Sequence, residues 1–163
     1  MPTGYRTLLR LELNMTKQTS SSSLDESSPS VQAHLGILQS VIQRMATNSS
    51  NSKTACITLV SAILVIVADK GKPDYAWIAL IPNLLFMALD TYYLALEKGF
   101  RLTYNNFVSK LHGGEATYAD LYFVSPSGSQ SKHQLESLKS FSVWGFYSTL
   151  LLLIIIARGI VIG

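Results

Sequence analysis

The sequence is short of charge. Only 14% of its 163 residues are Asp, Glu, Lys or Arg, against about 25% in an ordinary soluble domain, while 48% are apolar. The deficit is concentrated in three apolar runs, which points to membrane spans and not to a greasy globule. Cysteine is nearly absent. Cys56 stands alone inside the first run, so the chain cannot make an intrachain disulfide, a Cys-x-x-Cys redox pair or a cysteine zinc site. There is no basic stripe with interleaved aromatics, and a net charge of +3 spread over thirteen scattered Lys and Arg argues against nucleic-acid binding. His34, His112 and His133 stand far apart without a cysteine or second histidine near them, which leaves no metal site within one chain. Neither a nucleophile elbow nor a glycine-rich phosphate loop occurs, so no catalytic residue and no cofactor is expected.

What the chain does have is helical apolar pattern. The stretch from Tyr75 to Leu111 reads as one helix in two solvents. Its first part, 75–96, measures about 33 Å at 1.5 Å per residue, enough to cross a hydrocarbon core of about 30 Å. Its second part, 97–111, keeps the period and becomes amphipathic, with Phe100, Tyr104, Phe107 and Leu111 at steps of four, three and four. Before it, Thr54 to Ala68 is an apolar run of fifteen, short for a span, which Lys53 and Lys70 can extend by snorkelling; the first span is set at 53–69. Asp69 to Asp74 holds Gly71 and Pro73 and makes the first two spans a hairpin. A third span occupies 142–162, with Trp144 and Tyr147 as an aromatic belt at its entrance.

Outside the spans, Ser28-Pro29 is a helix start, and Val31, Leu35, Leu38, Ile42 and Met45 form a stripe with His34 off it, giving an amphipathic helix over 30–47. Asn48 to Lys53 is either a break or a kinked continuation. Residues 1–29 read as a disordered, serine-rich tail without the apolar core of a signal peptide, and Met15 is a candidate natural start. The linker 112–141 opens on Gly113-Gly114, where a glycine can take a left-handed cap. It contains a capping-box pattern at Thr117 and Asp120, and is expected to be flexible over Ser125–Ser131. The fold class is therefore all-α, an integral membrane protein with three transmembrane helices and amphipathic cytoplasmic helices. Lys and Arg counts beside the spans put the N-terminus and the long linker in the cytoplasm and the C-terminus in the periplasm.

Two residues inside the spans are candidates for function. Asp90 is the one ionisable group within a span, a costly placement that calls either for pairing, with Lys53 as the nearest choice, or for a pore or proton role. Pro82 removes a backbone hydrogen bond and is expected to kink its helix. Leu35, Leu38, Ile42, Phe100, Tyr104 and Phe107 are candidate packing residues, either between the two amphipathic rods or between copies of them.

The segments HLGILQSVIQRMATNSSNSK and LDTYYLALE, with Asp120-Leu121-Tyr122 in the linker and Phe146-Tyr147 in the last span, resemble a family of small bacterial inner-membrane proteins. Its pattern is HLxxIQxVIxRMAxNS before the first span and LDxYYLxLE at the end of the second. Leu38-Gln39 replaces the usual Ile-Gln. The resemblance implies a multi-pass protein of the bacterial inner membrane and carries no activity with it. Two functions are expected from these features: a non-enzymatic, homo-oligomeric scaffold in the lipid bilayer that binds a cytoplasmic protein partner, or a membrane-disrupting, ion-leak effector of stress or anti-phage defence. The second rests on architecture alone.

Overall fold

The structure is a computed structural model and describes residues 24–162, with side chains to residue 160. Most of the expected N-terminal tail, and Met15 with it, lies outside the described residues. Leu24 does not behave as part of a free tail: it is buried against Val31, Phe107, Leu111 and Ala116. The described chain is all-helical, with no strand. It comprises α1 (Pro29–Lys70), a 3-10 helix (Pro73–Ala79), α2 (Leu80–His112), a 3-10 turn (Tyr118–Asp120), α3 (Gln130–Leu138) and α4 (Phe141–Ile162). Three stretches are long and apolar enough to cross a membrane: α1, the Pro73–His112 pair of helices, and α4.

α1 runs unbroken through Asn48–Lys53, where polar residues of weak helix propensity left a break open. Tertiary contact overrides that propensity. Ser49 and Ser52 lie on the buried face, and Ser52 Oγ donates back to the Asn48 carbonyl at 2.9 Å. The buried face recurs at steps of three and four from Val31 through His34, Leu38, Ile42, Met45, Ser49, Ser52, Cys56 and Val60, so a single seam follows a straight helix from end to end. Gly71 turns the chain with φ +59°, its N–H donating to the Ala68 carbonyl, and α2 returns antiparallel along α1.

The second span does not begin as α-helix. Pro73–Ala79 is a 3-10 helix, and Pro82 follows as the third residue of α2. The change of helix type falls just before Pro82, in the first turn of α2. Proline is tolerated in a first turn, where the backbone N–H has no intrahelical acceptor to lose.

α4 closes the bundle by setting Val143, Tyr147, Leu150 and Ile154 against Cys56, Val60, Val67, Ala76 and Ala79. At the hairpin end, Arg158 meets Asp74 at 3.1 Å and lies over the Trp77 ring at 5.4 Å. Ile57, Val65, Ile66, Leu84, Leu85, Leu152 and Ile155 remain on the outside of the three helices.

The linker contains a helix that the sequence pattern hid. α3 has no apolar seam: Leu135 and Leu138 face outward, and the residue it buries fully is Ser137. It runs beside Met87, Ala88, Thr91 and Tyr92 of α2.

Candidate functional site

Two constructions join elements distant in sequence. The first is a buried charge pair where the stalk formed by the lower halves of α1 and α2 meets the spans. Asp90 is fully buried, and Lys53 Nζ approaches its Oδ2 at 2.6 Å, an ion pair that lies outside hydrogen-bonding angles. Ser49 donates its hydroxyl to Oδ1, and Lys53 Nζ reaches Ser49 Oγ at 3.4 Å. Asp90 thus sits level with the start of the first apolar run. Further into the bundle, Tyr147 donates to the Phe86 carbonyl at 3.0 Å, and Asn83 Nδ2 donates to the Tyr147 carbonyl at 3.4 Å. Cys56, buried, places its thiol 3.9 Å from the Pro82 carbonyl.

The second construction is a strap, Leu121–Gly128, laid across the stalk. Thr117 and Asp120 form the expected capping box: Asp120 Oδ2 accepts from the Thr117 N–H and hydroxyl, both at 2.9 Å. Lys110 Nζ donates to Asp120 Oδ1 at 2.8 Å, and this bond, with those from Thr117, holds the carboxyl down at about 2. At the start of the strap Tyr122 has φ +62°, a strained value for a side chain of its size, fixed where its N–H donates to His34 Nδ1 at 3.1 Å. At its end, Ser127 donates its N–H to the Gly99 carbonyl at 3.1 Å, while the Ser127 carbonyl faces His133 Nε2, also at 3.1 Å. Thr103 donates to the Ser125 carbonyl at 2.6 Å. Ser125–Ser131, expected to be flexible, is therefore mostly docked and enters α3 at Gln130.

The strap fits because Gly99 has no side chain. A Cβ there would stand 2.8 Å from Pro126 Cβ. Gly99→Ala should displace the strap without unfolding the stalk, which limited proteolysis would register as new cleavage within 121–128; an unchanged digest would show that the contact does not hold it.

His34, placed off the stripe by the sequence reading, is 1% exposed and meets the Phe107 ring edge-on at 4.5 Å. Burial pushes its imidazole below the ordinary value of 6.5, with the Asp120 charge acting weakly in the opposite direction. Lys110, Asp120 and the Tyr122 phenol are the other titratable groups around it. The unfolded chain takes up this proton first as pH falls, so the stalk should lose stability from about pH 6.5 downward and level off once the folded ring also protonates. Unfolding midpoints from about pH 7 to about pH 5 should show that slope, and His34→Gln should flatten it.

Of the six expected packing residues, Leu38, Ile42, Phe100 and Phe107 are buried, while Leu35 and Tyr104 are half-buried against the same clusters. Ile42, Phe100 and Tyr104 share one cluster, and Leu35 and Phe107 share the next one along the stalk. Tyr147, expected in an exposed belt, is 2% exposed and bonded inside the bundle. Ser49, Asn83, Gly99 and Thr103 were missed. His34 and Ser49 had one detectable signal: they fall on the three-and-four spacing that runs through Leu38, Ile42 and Met45. Among the described residues, no group of three or more His, Cys, Asp or Glu could hold a metal ion.

Fold and sites together define an all-helical chain with three helices long and apolar enough to span a membrane, the first two extended into a strapped stalk. No family model matches the sequence, and neither a curated protein nor a solved structure matches it.

Proposed function

We propose that this protein is a non-enzymatic, multi-pass module of a bacterial inner membrane that presents a rigid stalk to a partner, a second copy of itself being the first candidate. The observation that carries this reading is where the apolar surface goes. Both stalk stripes are consumed within the chain, while the linker leaves Tyr118, Tyr122 and Phe123 between 57% and 67% exposed beside a strap clamped to α1 and α2. Exposed aromatics on a rigid support fit a docking surface. With a photo-crosslinking amino acid at position 123 of the full chain in membranes, the expected product is a discrete adduct at twice the chain mass, lost on Tyr118→Asp. Only unreacted monomer would count against self-association.

The Lys and Arg distribution supports a cytoplasmic stalk and a periplasmic C-terminus. A reporter fused after Gly163 tests that orientation.

One observation favours a second reading, an ion-leak effector: the polar groups of Asp90, Tyr147, Asn83 and Cys56 continue into the bundle between the helices. On that reading expression depolarises cells and Asp90→Asn alters the effect. A voltage-sensitive dye that reports a quiet membrane for both proteins would retire it.

A further inference from the structure

The stalk holds a cavity of mixed, mainly apolar lining that neither the charge pair nor the exposed aromatics explain. It measures about 240 Å³, room for about eight waters or one compact solute. His34, Asn106, Lys110 and Asp120 contribute polar walls, and Phe107 and Phe123 contribute apolar ones.

His34 Nδ1 accepts from the Tyr122 N–H, so the neutral ring carries its proton on Nε2. That N–H has no partner among the described residues, although the side chain is 1% exposed and lines the cavity. Nε2 is not sealed in: it stays open to the cavity, where water or a solute can accept from it. Asp120 is largely engaged, because Lys110 donates to its Oδ1 while the Thr117 N–H and hydroxyl both donate to its Oδ2. Lys110 gives one of its three N–H bonds to Asp120 and keeps two, and the Asn106 amide has no partner among the described residues. The Asp120 charge is matched by Lys110, and the open positions include five N–H donors, two each from Lys110 and Asn106 and one from His34, beside the Asn106 carbonyl and one lone pair of Asp120 Oδ1.

We propose that this cavity binds a small oxyanion, a phosphate or carboxylate group on a compact solute. His34 Nε2, Lys110 Nζ and the Asn106 amide donate to its oxygens, and Phe107 and Phe123 cover its apolar part. A lipid headgroup does not reach the cavity. His34 precedes Lys53 by nineteen residues, about 28 Å of helix below the first apolar run. The ligand is therefore a free solute, and it would rest against the strap that carries Tyr122 and Phe123.

The test uses the full chain in detergent micelles with ¹⁵N-labelled histidine, above neutral pH so that the His34 ring is uncharged. It is titrated separately with inorganic phosphate and with acetate, with chloride holding ionic strength constant. The His34 Nε2 resonance should shift saturably with at least one of them at millimolar concentration, while His112 and His133 stay in place. In Asn106→Ala the midpoint should rise about tenfold, whereas Asn105→Ala, on a different groove, should match the wild type. Asn106 is exposed, so its loss leaves the packed stalk intact. No saturable shift with either anion would overturn the proposal, as would an equal midpoint in Asn106→Ala and the wild type.

Discussion

Asp90→Leu should lower the stability of the detergent-solubilised full chain by about 3–5 kcal/mol, because it leaves the Lys53 ammonium largely buried without its counter-charge. The geometry makes the loss one-sided. Asp90 is fully buried and Lys53 only 19% exposed, so neither charge can recover full hydration when the other is removed. Ser49 would also lose the acceptor of its hydroxyl. The Lys53→Met/Asp90→Leu double variant removes both charges and should regain most of the loss, since an apolar pair of similar volume is close to neutral in place of a buried ion pair. Denaturant or thermal midpoints of the two single variants and the double variant close the cycle. A double variant no better than Asp90→Leu would show that the two residues are not energetically coupled.

Leu38→Asp should be as damaging by a different route. Leu38 is 0% exposed on the buried face of α1. Its replacement forfeits about 1.5–3 kcal/mol of leucine burial and forces an unpaired carboxylate into the seam. Ile37, one residue earlier and 40% exposed, is the matched control, for which a surface substitution is expected to stay within about 0.5 kcal/mol. The stalk of Leu38→Asp should open, with protease cleavage appearing in the lower half of α1, while the span bundle above it remains folded. That outcome follows from packing inside one chain and does not depend on oligomeric state. Equal resistance of the Leu38→Asp and Ile37→Asp proteins would mean that α1 and α2 do not hold together through this seam.

The two rods were legible because apolar residues at helical spacing are a local signal. Leu38, Ile42, Phe100 and Phe107 stood out before any partner was known, and the structure buries all four, with Ile42 against Phe100. The polar partners were less legible. Ser49, Asn83 and Thr103 look like ordinary helix residues until the facing helix supplies Asp90, the Tyr147 carbonyl or the strap. Their role lies in contacts 22 to 64 residues away in sequence. α3 was hidden for a related reason: it buries a serine and exposes its leucines, the reverse of the pattern that marks a soluble helix. Gly99 carried no signal, since a glycine inside a helical pattern reads as a weakness until Pro126 is seen against it.

By itself the sequence determined that the chain is helical, that three stretches are long and apolar enough to span a membrane, and that a tight turn at Gly71 pairs the first two. Those properties depend on composition, period and local turn chemistry, which act within a few residues. Only the tertiary structure decided that Asp90 is neutralised by Lys53, that Pro82 stands in the first turn of α2 behind a 3-10 helix, and that His34 faces inward to hold the strap. Each is a choice between local alternatives of similar energy, made by a partner that the fold brings from another part of the chain.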